Sequence, residues 1–144
     1  MPLRREHRFF YPIDWPKLSA IIRFRRAGGV CETCARPHGG MIYHLGDGRW
    51  WDREAVSWRF GAGRLIRLAI GVDDVLGCVR TTRVVLATGH RDHDIANNGS
   101  KNLAAFCQRC HINHDQPEHQ RRRWQTLFQR NAPGDLFSGP YPSI

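Results

Sequence analysis

The sequence predicts a small α+β domain, with short strands closed by a helix and the whole tied together by a four-cysteine metal site. Three observations predict it. Cys31 and Cys34 form one CxxC pair, and Cys107 and Cys110 form a second. From Ala87 to Asp115 the pattern reads strand, loop, strand, helix, with Asn98-Gly99 in the loop. The same stretch carries His90, Asp92, His93, Asp94, Asn102, His111 and Asp115, a set of side chains that no apolar core asks for and that metal binding does.

The elements follow in chain order. Residues 1–13 are basic, aromatic and irregular. Asp14 then precedes Trp15-Pro16, and proline suits a first helical turn. Leu18, Ile21, Ile22 and Arg25 recur at helical spacing up to a Gly28-Gly29 stop, which predicts a helix over 15–27. Arg23, Arg25 and Arg26 crowd its C-terminal end, where they either complement the helix dipole or contact phosphate. The first cysteine knuckle and a Pro37–Gly40 turn come next. Met41–Leu45 reads as a strand, Gly46-Asp47-Gly48 as a tight turn and Arg49–Trp51 as the return, so residues 41–82 are expected to form an inserted β arm. Asp73-Asp74 lies in that arm with no histidine or cysteine beside it, as a loop carboxylate pair. Arg83–Gly89 is a β-rich run, and Asn102–Phe106 leads into the second knuckle. A helix over Cys107–Asp115 is expected to end before Pro117. A last, basic helix over 117–130 then places Trp124, Leu127 and Phe128 on one face. Residues 1–132 read as one domain and 133–144 as a tail.

The net charge is +9, with arginine far ahead of lysine. Planar guanidinium groups bind phosphate bidentately, so the first partner to consider is a polyanion. DNA, held mainly through its phosphate backbone, is the expected partner, with Arg121, Arg122 and Arg123 as candidate contacts; nothing in the sequence favours RNA over it. No apolar run approaches the length of a membrane span, and the opening MPLRREHRFFYPIDWP has no apolar signal-type core. The cytoplasm is the expected location, with no membrane partner.

In a reducing compartment two CxxC pairs predict zinc rather than disulfides. The thiolates of a CxxC turn point at one ion, and Cys31, Cys34, Cys107 and Cys110 close a tetrahedral shell. The pairs stand roughly seventy residues apart, so the zinc would tie the N-terminal part of the chain to the C-terminal part. Cys78 is left over and is expected to be a small buried apolar residue. The imidazoles and carboxylates point to different chemistry. If the first strand continues, His90 and Asp92 share a face; on the helix His111 and Asp115, four apart, also share one. Imidazole with carboxylate suits a harder divalent ion with open positions.

The arrangement of His90, Asn102 and His111, with CxxC pairs before and within it, resembles the HNH endonuclease family, the ββα-metal nuclease fold. It is closest in pattern to a phage and prophage type with a (T/V)-x-H-x-D-H-D segment and a terminal NL-x-x-x-C-x-x-C-H-x-x-x-D. The resemblance covers residues 15–40 and 83–116 and is silent on 41–82 and the tail. It implies that His90 is the general base that activates water and that Asn102 holds the loop that orients it. It further implies that His111 and Asp115 bind a catalytic Mg²⁺ or Mn²⁺, and that the cysteines hold structural zinc. The implied reaction is hydrolysis of DNA phosphodiester bonds, leaving a 5′-phosphate and a 3′-hydroxyl. One position departs from the pattern. Many members carry Asp or His directly before the base, and this chain has Gly89. Asp92 is one replacement ligand. In an alternative register Asp92-His93 is the Asp-His pair and His93 the base. A zinc-stapled DNA-binding module without catalysis is the competing expectation.

Overall fold

The computed structural model describes residues 5–67 and 71–131, which form an α+β structure. The chain divides into two compact units, one through His111 and one from Ile112. The expected tail at 133–144 lies outside the described residues.

The first unit opens with a 3₁₀ turn at Arg5–Phe10 and then a helix, α1, at Trp15–Ala20, with Pro16 in its first turn. The helix continues to Arg26, as its apolar spacing predicts, but with the wider π winding over Ile21–Arg26. The Ala27 amide accordingly bonds the Ile22 carbonyl, five residues back, at 3.0 Å. The arginines at this end serve neither of the two expected purposes alone. Arg23 reaches the Leu86 carbonyl at 3.3 Å, and Arg26 donates to the carbonyls of Ser100 and Leu103, each at 2.6 Å. Both clamp backbone of the strands that the helix covers.

Those strands are β5 (Leu86–His90) and β6 (Leu103–Cys107). They pair antiparallel, with Leu86 opposite Cys107 and His90 opposite Leu103. Every residue of β6 is buried, so its near-continuous apolar run is satisfied on both faces. The core is Ile22, Ile42, Trp50, Val84, Leu86, Leu103, Ala104, Ala105 and Phe106, joined to the four paired cysteines. Burying a leucine of this kind stabilises the fold by roughly 1.5–3 kcal/mol.

Residues 41–83 form a separate four-stranded sheet. Strands β1 (Met41–His44), β2 (Trp50–Asp52), β3 (Ser57–Arg59) and β4 (Arg80–Arg83) take the order β3-β2-β1-β4. The β-rich run that begins at Arg83 is therefore not one strand. Arg83 ends β4, and β5 starts at Leu86. Between them the Val84 amide bonds Gly40, the Val85 amide bonds the Gln108 side chain and the Leu86 amide bonds His38 Nδ1. The arm is anchored to the first knuckle by Trp50, whose indole N–H donates to the Cys34 carbonyl at 3.0 Å. Cys78 lies at the end of a 3₁₀ segment, Asp73–Cys78, outside the strands of the arm, and is exposed rather than buried.

Helix α2 spans Gln108–Asn131 as one element. The expected break at Pro117 does not occur. A proline inside a helix costs about 3 kcal/mol, and the helix tolerates it within a run of good helix formers from Glu118 to Gln125. In the second unit Glu118 binds Arg121 and Arg122, and Trp124 stacks on Phe128 with ring centroids 5.4 Å apart. No helix among the described residues is long and apolar enough to cross a membrane.

Candidate functional site

Cys31 and Cys34 sit in a tight turn closed by the Val30–Pro37 bridge, with Ala35 in the left-handed region at φ 62°. Cys107 ends β6 and Cys110 lies in the first turn of α2. All four are buried, and their sulfurs lie within 4.8 Å of one another. The Cys34 and Cys107 sulfurs are 3.5 Å apart, and the Cys107 amide donates to Cys31 Sγ at 3.3 Å. A tetrahedral zinc with bonds near 2.3 Å spaces its sulfurs about 3.8 Å apart, so these thiols can hold a metal such as zinc. Their proton affinities are split by mutual hydrogen bonding. Cys31 is drawn below the ordinary thiol range chiefly by Cys107, and Cys107 chiefly by Cys110, while Cys34 and Cys110 are pushed up as the donors. A divalent cation would remove that competition by drawing all four to thiolates.

His90 ends β5 and is 8% exposed, although imidazoles usually keep more contact with water. Trp15 stacks on its ring at 5.7 Å with planes 6° apart, and Tyr11 meets it edge-on at 5.7 Å. Its Nε2 lies 3.0 Å from Asn98 Oδ1. The first turn of α1 thus serves the histidine as well as the core. Burial raises the Tyr11 phenol above its ordinary range.

Asn102 occupies the position just before β6 and organises the intervening loop. Its Nδ2 donates to Asp92 Oδ1 and to the Asn97 carbonyl, each at 2.8 Å. Its Oδ1 accepts the Asp92 amide at 3.2 Å, and its carbonyl accepts the Arg91 amide at 2.8 Å. Asn102 thus ties Arg91, Asp92 and Asn97 to the residue before β6. Asp92 does not share a strand face with His90, because β5 stops at His90 and the chain turns. Its carboxylate accepts from the Asp94 amide, from Asn97 and from Asn102, and these bonds hold it below the usual carboxylate range, the Asp94 amide most. His93 follows in the same turn with φ 62°, a strained conformation for a residue with a side chain.

His111 approaches β5 at Gly89. A Cβ built on Gly89 would stand 3.1 Å from His111 Nε2 and 3.0 Å from Phe106 Cδ2. Gly89 is thus the gap that lets the first-turn histidine of α2 lie against the strand that ends in His90. Asp115 is half-buried one helical turn further along α2.

No family model, curated protein or solved structure matches the chain. What the site can do therefore rests on its own geometry. His90 ends β5, Asn102 ties the loop before β6 and His111 lies against Gly89, while Cys107 and Cys110 at the junction of β6 and α2 join Cys31 and Cys34. The basic candidates stand apart in role. Arg121 and Arg122 both bind Glu118, at 2.8 and 2.7 Å, whereas Arg123 is exposed and makes no ion pair among the described residues. Three further participants, Tyr11, Trp15 and Asn98, were not legible as site residues. The aromatics read as chain entry and helix start, and nothing in the sequence separates Asn98 from Asn97, an equally suitable loop residue.

Proposed function

We propose that the chain is a metal-dependent HNH-type endonuclease or nickase that hydrolyses DNA phosphodiester bonds. The observation that supports this reading is the convergence of a first-turn helical histidine, His111, on Gly89 of the strand that ends in His90, with the following loop tied by Asn102. A strand-loop-strand-helix unit with these side chains is what the ββα-metal reading requires.

In this reading His90 takes a proton from the attacking water, since a neutral imidazole can act as general base near pH 7. Asn102 keeps the loop closed around it. His111, with Asp115 next on its helix face, belongs to the ligand set for Mg²⁺ or Mn²⁺; when bound, such an ion supplies positive charge against the developing phosphorane and the leaving oxygen. Zinc on Cys31, Cys34, Cys107 and Cys110 is structural. Exposed arginines hold the DNA backbone without reading bases.

The test is nicking of supercoiled plasmid with Mg²⁺ or Mn²⁺. His90→Ala is expected to lower the rate by about 10²–10⁴-fold. Equal nicking by both proteins, or none by either, sinks the catalytic reading.

A second reading is a zinc-stapled DNA-binding module without catalysis. It is favoured by the cover of Tyr11 and Trp15 over His90 and by the missing side chain at position 89. Metal analysis separates the two, because one tightly held zinc with no site for a second divalent ion supports the module. Competition of plasmid binding by single-stranded RNA would instead bring an RNA partner forward.

A further inference from the structure

We propose that Asn98 is a positioning residue that fixes the tautomer of His90, so that Nε2 carries the hydrogen and Nδ1 is the basic nitrogen. The catalytic meaning of this assignment rests on the nuclease reading above; the assignment itself does not.

The Asn98 carboxamide is held at its nitrogen end. Its Nδ2 has three carbonyl neighbours: Phe10 at 2.8 Å, Ile95 at 3.3 Å and Ala96 at 3.3 Å. Carbonyl oxygens only accept, so a flipped amide would set oxygen against oxygen three times. The network therefore fixes which end of the amide is nitrogen. The oxygen is the end left facing His90, 3.0 Å from Nε2. A carboxamide oxygen has no hydrogen to give, so Nε2 is the donor. In the neutral ring the lone pair is then on Nδ1.

The ring cannot readily turn over, which would put Cε1 in place of Nε2 against Asn98 Oδ1. Trp15 lies parallel to one face and Tyr11 abuts it edge-on. Neighbouring asparagines turn their acceptor oxygens elsewhere: Asn97 Oδ1 accepts the Gly99 amide and Asn102 Oδ1 the Asp92 amide. Phe10 belongs to the segment that leads into α1, while Ile95 and Ala96 belong to the loop. Asn98 thus couples the N-terminal cover and the loop to one ring nitrogen.

The test uses the full-length zinc-loaded chain with ¹⁵N-labelled histidine. Long-range proton–nitrogen spectra assign the His90 tautomer directly. The wild type is expected to show Nε2–H, and Asn98→Ala is expected to shift the ring to a mixture while the melting temperature and backbone spectrum stay near wild type. In plasmid nicking the same variant is expected to lose on the order of 10- to 100-fold in kcat with KM for DNA little changed. A wild-type ring protonated on Nδ1 overturns the proposal, and this measurement stands even if Asn98→Ala does not fold. A folded Asn98→Ala whose ring keeps the wild-type tautomer overturns it equally. A wild type that never nicks DNA yet shows Nε2–H, lost in Asn98→Ala, defeats the nuclease reading and leaves the assignment intact.

Discussion

Gly89 illustrates how one missing side chain shapes this site. Its conformation is ordinary for a strand, so backbone freedom does not explain it. Space does: Phe106 and His111 Nε2 occupy the volume that a Cβ would need. Gly89→Ala is expected to destabilise the fold by about 1–3 kcal/mol in urea titration, since the nearest atoms are a packed ring and a helix-borne imidazole. An unchanged midpoint would show that His111 swings away at little cost, and the convergence argued above would weaken with it. Asn102 makes a complementary prediction. Asn102→Ala removes the acceptor for the Asp92 amide and two donors to the loop, a loss of about 1 kcal/mol locally. Amide exchange at Asp92 should then speed up roughly fivefold, while exchange in β6 stays as it was. Asn102 as a candidate residue was legible in the sequence, and a loop-holding role for it is what the resemblance implies. The reason for Gly89 was not legible, because steric exclusion by Phe106 and His111 depends on how a helix docks on a strand.

At the scale of elements, local signals and long-range ones fared differently. The N-terminal helix, the Gly46–Gly48 turn and the returning strand follow from spacing and turn chemistry, which act within a few residues. The split of the Arg83–Gly89 run between two sheets does not, since it answers to Gln108 and His38, far along the chain. Pro117 is the sharpest lesson: the rule that proline ends a helix was outweighed by its neighbours. Glu118, one residue later, carries an electrostatic prediction. Arg121 first and Arg122 second hold its carboxyl down at about 2, below the ordinary 4.5. A carboxyl lowered in the folded state stabilises that state above its unfolded pKa and loses this effect as pH falls toward the folded one. The helix around Glu118 should therefore loosen between about pH 4.5 and 2. Carbon-detected NMR of the Glu118 side chain would show the midpoint, and an unshifted titration would break the pairing with Arg121 and Arg122. The cysteine cluster makes the firmest prediction at this scale. Stripping metal with a chelator, or Cys107→Ser, should lower the melting temperature markedly, because the bond between the knuckle and the hairpin is folding free energy.

For the whole molecule the governing quantity is the net charge of +9. If DNA is the partner, its affinity should fall steeply with salt, each phosphate contact contributing about 0.9 to the logarithmic slope. Arg123→Ala should lower that slope by about one contact, and Arg121→Ala by less, because Arg121 is already spent on Glu118. A slope indifferent to both would place the DNA elsewhere. The four-cysteine cluster has a consequence of another kind, in the order of assembly. Cys34 and Cys107, 73 positions apart, must meet before the core is closed. Bringing such distant points together costs on the order of 4 kcal/mol of chain entropy, and nothing repays it until the second pair exists. At ribosomal rates of about 5–20 residues per second, the first two thiols and the helix beside them wait on the order of 4–15 s for their partners. During synthesis the N-terminal third is thus a nascent chain with reactive sulfur and an unburied apolar face. If all four cysteines hold one metal, its shell can close only after Cys110 has been made, and metal supply at that late point would then bear on how much chain folds.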